Sequence, residues 1–189
     1  MNFGHYSDDS VGLAVALVNT HEPGVDDSGD DLSTTRDLER FLAEQGLAAE
    51  TEPSEAELAA VHELRAELRA VFAAPDETTA AGALNELLAD SEPVPRLSDH
   101  GGGRWHLHVG SRTAGPAARL RAITSLGLAL VLAEEGRERL GLCADQDCGA
   151  VFVDSSKNLS RRYCCEGCSN RANVRAYRAR HRAPEAGPV

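Results

Sequence analysis

The sequence predicts a mainly α protein: a helical N-terminal domain with a small β-hairpin, then a short cysteine-organised module that ends in a basic helix. Three observations predict it. Apolar residues recur at three and four positions through most of residues 10–90 and 117–135, the period of an amphipathic or core helix. Between those regions Trp105, Leu107 and Val109 alternate with His106, His108 and Gly110, a period of two that marks a strand. All five cysteines lie between Cys143 and Cys168, and a basic run follows them.

The division expected is a helical domain over 1–136 with its hairpin near 94–109, the cysteine module over 137–182, and a flexible tail over 183–189. Charge divides the same way. The chain of 189 residues carries a net −11. Residues 1–142 hold 25 acidic and 11 basic side chains, whereas 157–182 hold eight basic ones and Glu166. The whole-chain value alone would argue against nucleic acid; the distribution does not. The start, MNFGHYSDDS, lacks the basic and apolar segments of a secretory signal, and charge interrupts the longest apolar run. A cytoplasmic protein without membrane association is expected, in a reducing compartment where clustered cysteines favour metal over disulfides.

The elements follow in order. Ser10 is expected to cap a first, mostly buried helix through Thr20, broken by His21 to Gly24; an acidic loop follows. A second helix begins at Thr34 or Thr35, turns Leu38, Phe41 and Leu42 inward, and stops at Gly46. Ser54 and Glu57 form a capping box for a third, with Leu58, Val61, Leu64, Leu68, Val71 and Phe72 on one stripe and Pro75 beyond its end. A fourth covers roughly Thr78 to Asp90, anchored by Leu84, Leu87 and Leu88. The hairpin turns at Gly101, Gly102 and Gly103, with Trp105 and Leu107 expected inward and His106 and His108 on a solvated face. Pro116 suits the first turn of a fifth helix through Glu135, carrying Leu120, Ile123, Leu126, Leu130 and Val131. Asn19 and Thr20, after a buried helix and before a loop, are a possible ligand site between helices; the plainer reading is a helix end tied down by hydrogen bonds.

The cysteines form two clusters, as a tetrahedral zinc site requires. Four residues, ADQD, separate Cys143 from Cys148, and Cys148-Gly149 reads as a knuckle. Phe152 and Val153 make a short strand. A polar return loop follows, which Asp154, Ser155 and Asn158 can fix. Cys168 pairs with either Cys165 or Cys164, and one of the two is spare. Four sulfurs leave no open position, so the site expected is one structural Zn²⁺ that supplies folding energy and no catalysis. A redox CxxC would leave Cys143 and Cys148 unexplained.

Beyond Cys168, Arg171, Arg175, Arg178 and Arg182 recur at helical spacing, and Val174 and Tyr177 are expected to pack against the knuckle. With Lys157, Arg161 and Arg162, these arginines make a candidate phosphate-contacting surface for double-stranded DNA.

Phe152, Asp154, Ser155, Asn158, Arg161, Arg162, Tyr163, Cys164, Cys168, Ser169, Asn170 and Arg171 together resemble the CGNR zinc finger family, with Ser169 where the name-giving glycine stands and three residues, not four, between Cys164 and Cys168. The resemblance implies a treble-clef or ribbon-like zinc finger with Cys143, Cys148, Cys164 and Cys168 as ligands and Cys165 spare. Leu17, Val18, Asn19 and Thr20 resemble the LVNT end of the first helix of the ABATE domain, which accompanies that finger and is described as a stress-induced transcription regulator. The implied role is transcription regulation, with the finger on DNA and the helical domain sensing a small-molecule effector or mediating self-association. A dimer reading two half-sites fits so short a finger. The alternative is a protein-interaction module with a structural zinc and no DNA binding. No nucleophile–base set, glycine-rich phosphate loop or HExxH pair is present, so no enzyme is expected.

Overall fold

The computed structural model describes residues 4–21, 29–47, 52–91, 95–98, 105–109 and 114–181, without the side chains of 4–8, 98 and 106–108. Residues 22–28, which take in the first part of the acidic loop, the turn at Gly101 to Gly103, Arg182 and the tail over 183–189 lie outside the described residues, as do the side chains of His106, Leu107 and His108.

Six helices are described: α1 (Gly4–Val18), α2 (Thr35–Glu44), α3 (Glu55–Ala73), α4 (Glu77–Ser91), α5 (Pro116–Glu135) and α6 (Glu166–His181). Two antiparallel hairpins accompany them, β1 (Pro95–Ser98) with β2 (His106–Val109), and β3 (Leu140–Leu142) with β4 (Val151–Val153). α1 begins before Ser10, which is therefore a buried interior residue and not a cap. α2 starts at Thr35, as the sequence reads, and the α3 cap is the one expected; the α2 box is an addition. Thr34 with Asp37, and Ser54 with Glu57, form reciprocal capping boxes. Gly46 ends α2 in a Schellman arrangement, its amide and that of Leu47 bonding to the carbonyls of Ala43 and Leu42.

α5 is the centre of the body and packs on α1, α3 and α4. It is long and apolar enough to cross a membrane, but Leu120, Ala122, Leu128 and Val131 are buried in the protein core, which accounts for its composition. Thr124 and Ser125 are buried too, and their hydroxyls return to the carbonyls of Leu120 and Arg121 at 2.8 and 2.7 Å. A Cβ at Gly127 would sit 2.7 Å from Ser10 Cβ, so glycine is what lets α1 and α5 cross this closely.

The β1–β2 hairpin corrects one expectation. Trp105 is 69% exposed and Leu97, opposite Leu107 in the register, is 67% exposed. Val109, at the end of β2 near α5, is the buried residue. Two strands have too little area to cover an apolar face, so the alternating pattern is buried only where a helix meets it.

The second hairpin belongs to the same core as the helices. Leu140 and Val151 are buried in one cluster with Leu17, Val18, Leu68 and Phe72. The two modules are thus built around shared apolar contacts, which β3 and β4 bring from the C-terminal side.

Candidate metal centre

The β3–β4 hairpin presents the first two thiols and α6 the others. Cys143 directly follows β3, Cys148 stands in the turn, Cys164 precedes α6, and Cys168 lies in its first turn. The hairpin is stiffened at Gly141, opposite Phe152: a Cβ at Gly141 would meet the Phe152 ring at 2.5 Å. The ring lies over the glycine, and the Arg161 guanidinium stands 5.0 Å from its centroid. Arg161 also donates to the carbonyls of Tyr163, at 3.1 Å, and Cys164. The return loop is pinned by Asp154, which accepts from the amides of Ser156 at 2.7 Å and Arg161 at 2.9 Å. Ser156, not Ser155 or Asn158, carries the next bond, to the Ser160 amide at 3.0 Å.

The Sγ atoms of Cys143, Cys148, Cys164 and Cys168 all lie within 4.8 Å of one another. Cys148 and Cys164 are 3.7 Å apart, and Cys164 and Cys168 3.4 Å. A tetrahedral ion with Zn–S bonds of about 2.3 Å requires sulfurs about 3.8 Å apart, so these four fit it. Cys165 is exposed and stands outside the four-sulfur group, although its Sγ is 3.6 Å from that of Cys168. Two further donors face the sulfurs: the Cys164 amide is 3.4 Å from Cys143 Sγ, and Arg171 Nη2 is 3.0 Å from Cys168 Sγ. Burial first, and then neighbouring thiols, push the Cys164 thiol up, and burial pushes Cys168 up to about 12 against a lowering by the Cys164 thiol beside it. A divalent cation reverses that order by stabilising the thiolates.

The centre is tied to the helical body by groups that spacing alone does not single out. Asn19 donates through Nδ2 to the Val151 carbonyl at 3.0 Å and accepts the Val151 amide at 2.8 Å. Thr20 donates to the Leu17 carbonyl at 2.7 Å and accepts from Arg65 at 3.1 Å. Both residues of the possible N-terminal ligand site are therefore held by hydrogen bonds to the protein. Arg69 reaches from α3 to the Gly149 carbonyl at 2.6 Å. Arg139 donates to the carbonyls of Asp154 and Ser156 at 2.8 and 2.6 Å.

Two carboxylates in the knuckle set the roll of α6. Asp145 is only 1% exposed and accepts Arg171 Nε at 2.7 Å, with Arg175 Nη2 at 3.2 Å from its other oxygen. Asp147 takes Arg175 from outside. Burial alone would raise the Asp145 carboxyl, but the Arg171 hydrogen bond and both guanidinium charges bring it below its usual value. Arg171 and Arg175 thus face the knuckle, and Val174 and Tyr177 point outward, 47% and 57% exposed. This inverts the expected orientation. The sequence signal for it is the pair of aspartates between the first two cysteines. Lys157, Arg162, Arg178 and Arg180 are exposed, and none of the described ion pairs uses them.

Two family models match the chain. Residues 12–143 match ABATE, described as "Putative stress-induced transcription regulator". The chain belongs to the ABATE family. Residues 139–181 match the CGNR zinc finger, so the two matches overlap on β3. No curated protein matches the chain. In this ABATE protein the finger match and the four-sulfur cluster together assign a single structural Zn²⁺. The zinc staples the β3–β4 turn to the start of α6 and supplies no open coordination position.

Proposed function

We propose that the protein is a transcription regulator that binds duplex DNA through its zinc finger, with α6 as the contacting helix. The observation that carries this reading is the placement of α6. It stands off the helical body, every residue from Ala176 to His181 is exposed, and it lies in the basic part of a chain that is otherwise acidic. Phosphates would be met by Lys157 and Arg162 on the return loop and by Arg178 and Arg180 on the helix. Arg161, Arg171 and Arg175 hold the finger's own structure instead. The helical body is the sensing or self-associating half, and two fingers on two half-sites would supply the contacts that one lacks. The reading assigns no catalysis and places the protein in the cytoplasm with its DNA.

Fluorescence anisotropy of the full-length, zinc-loaded protein with a labelled duplex tests the reading. Affinity should fall linearly on a log–log plot against salt. Arg178→Ala with Arg180→Ala should lower the slope by about 2, near 0.9 for each phosphate no longer neutralised. No binding at low salt by protein carrying one zinc per chain contradicts it, and leaves an acidic protein partner as the better reading.

A further inference from the structure

The outward face of α6 has a composition of its own. Successive residues turn by about 100°, so Tyr177, nine positions after the buried Cys168, lies roughly half a turn round the helix from it. Asn170, Asn173, Val174 and His181 fall within about 60° of Tyr177, and the Tyr177 and His181 rings are 4.3 Å apart. Arg178 and Arg180 flank this stripe on opposite sides. The face is exposed along its whole length: Asn170, Asn173, Val174, Tyr177 and His181 all stand in solvent.

We infer that this stripe, and not the arginine row, reads base edges in the major groove of DNA, and that it selects A·T-containing steps. The inference rests on the DNA-binding reading above and names the specificity determinants of that same surface. Four observations support it. Arg171 and Arg175, the guanidinium groups that could pair with guanine, lie about 120° and 160° round the helix from Tyr177 and are engaged there by Asp145 and Asp147. Asn170 and Asn173 present amides, the group that pairs with both the N6 and N7 edges of adenine. Val174 adds an exposed methyl surface beside them, suited to the thymine C5-methyl group. Arg178 and Arg180 lie on the two sides of the stripe, where a helix seated in a groove about 12 Å wide meets its two phosphate walls. Residues 170–181 span about 18 Å, enough for a half-site of roughly five base pairs.

The occupant follows from the same geometry. An α-helix enters the B-form major groove but not the deep, narrow major groove of duplex RNA. An acidic protein groove would accept Arg178 and Arg180, but gives the paired asparagines no particular partner.

The test selects binding sites for the full-length, zinc-loaded protein from a randomised 20-base-pair duplex library. The wild type should enrich a short motif containing A·T pairs. Asn170→Ala with Asn173→Ala should flatten the preference at those positions, while affinity for unselected duplex stays within about twofold, because phosphate contacts remain. Replacing thymine by deoxyuridine in the selected site should weaken wild-type binding severalfold and leave Val174→Ser, which has no methyl to offer, unaffected. Duplex RNA of the same sequence should compete poorly.

An enriched motif that the asparagine variant reads unchanged overturns the base-reading face but leaves DNA binding standing. So does a motif of G·C pairs lost on Arg171→Ala. Failure to retain any duplex, with zinc bound, defeats the DNA reading itself. Circular dichroism and zinc content of each variant establish that it is folded.

Discussion

Asn19 does with one side chain what a neighbouring strand does with its backbone: it donates to and accepts from Val151. Asn19→Ala should destabilise by about 1–3 kcal/mol, since it leaves both polar groups of Val151 without that partner; urea unfolding measures it. The cysteines separate just as sharply. Cys164→Ser should lose zinc, and Cys165→Ser should retain one zinc per chain by elemental analysis, because only Cys164 belongs to the four-sulfur group. At the α1–α3 junction Arg65 bonds to Asp30 at 2.7 Å and, with a smaller backbone contribution from Leu32, holds its carboxyl down at about 2, against the ordinary 3.8. A depressed carboxylate stabilises the fold fully above its unfolded value. That contribution should persist above about pH 4 and drain away as the pH falls toward 2. Asp30→Asn should flatten the acid limb of the stability profile in that window.

Among the elements, α3 was legible because its cap is local: Ser54 with Glu57 needs nothing beyond four residues of chain, and the same local box, Thr34 with Asp37, starts α2 where its apolar period placed it. The start of α1 was not, since Ser10 has the chemistry of a cap but is buried where Gly127 crosses it, a contact with a distant helix. Gly127→Val should push α1 and α5 apart and cost about 1–3 kcal/mol, read as a lowered unfolding midpoint. α6 was legible as a helix, but its roll was misread. Spacing shows that Arg171 and Arg175 share a side; only the fold shows that Asp145 and Asp147 lie beneath that side. The inward placement expected for Trp105 failed for a related reason, because periodicity reports which residues share a face and not whether anything covers it.

For the molecule as a whole, the two cysteine clusters could be picked out from their spacing and Cys164 over Cys165 from the family resemblance, but their dependence on the helical body could not. Leu140 and Val151 share a core with Leu17 and Phe72, so the finger hairpin and the helices should unfold together. Removing zinc with a chelator should lower the midpoint of α-helical unfolding by roughly 10 °C or more, and should not merely fray α6. The charge division has the same whole-molecule character: on the proposed DNA-binding reading, an acidic body would confine duplex DNA to the basic segment over 157–181. Hydrogen exchange of the full-length, zinc-loaded protein, with and without duplex DNA at low salt, tests this most directly. Slowed exchange confined to the return loop over 157–163 and to α6 is the result expected. Protection spread over α2 to α4 with none at α6 would contradict it.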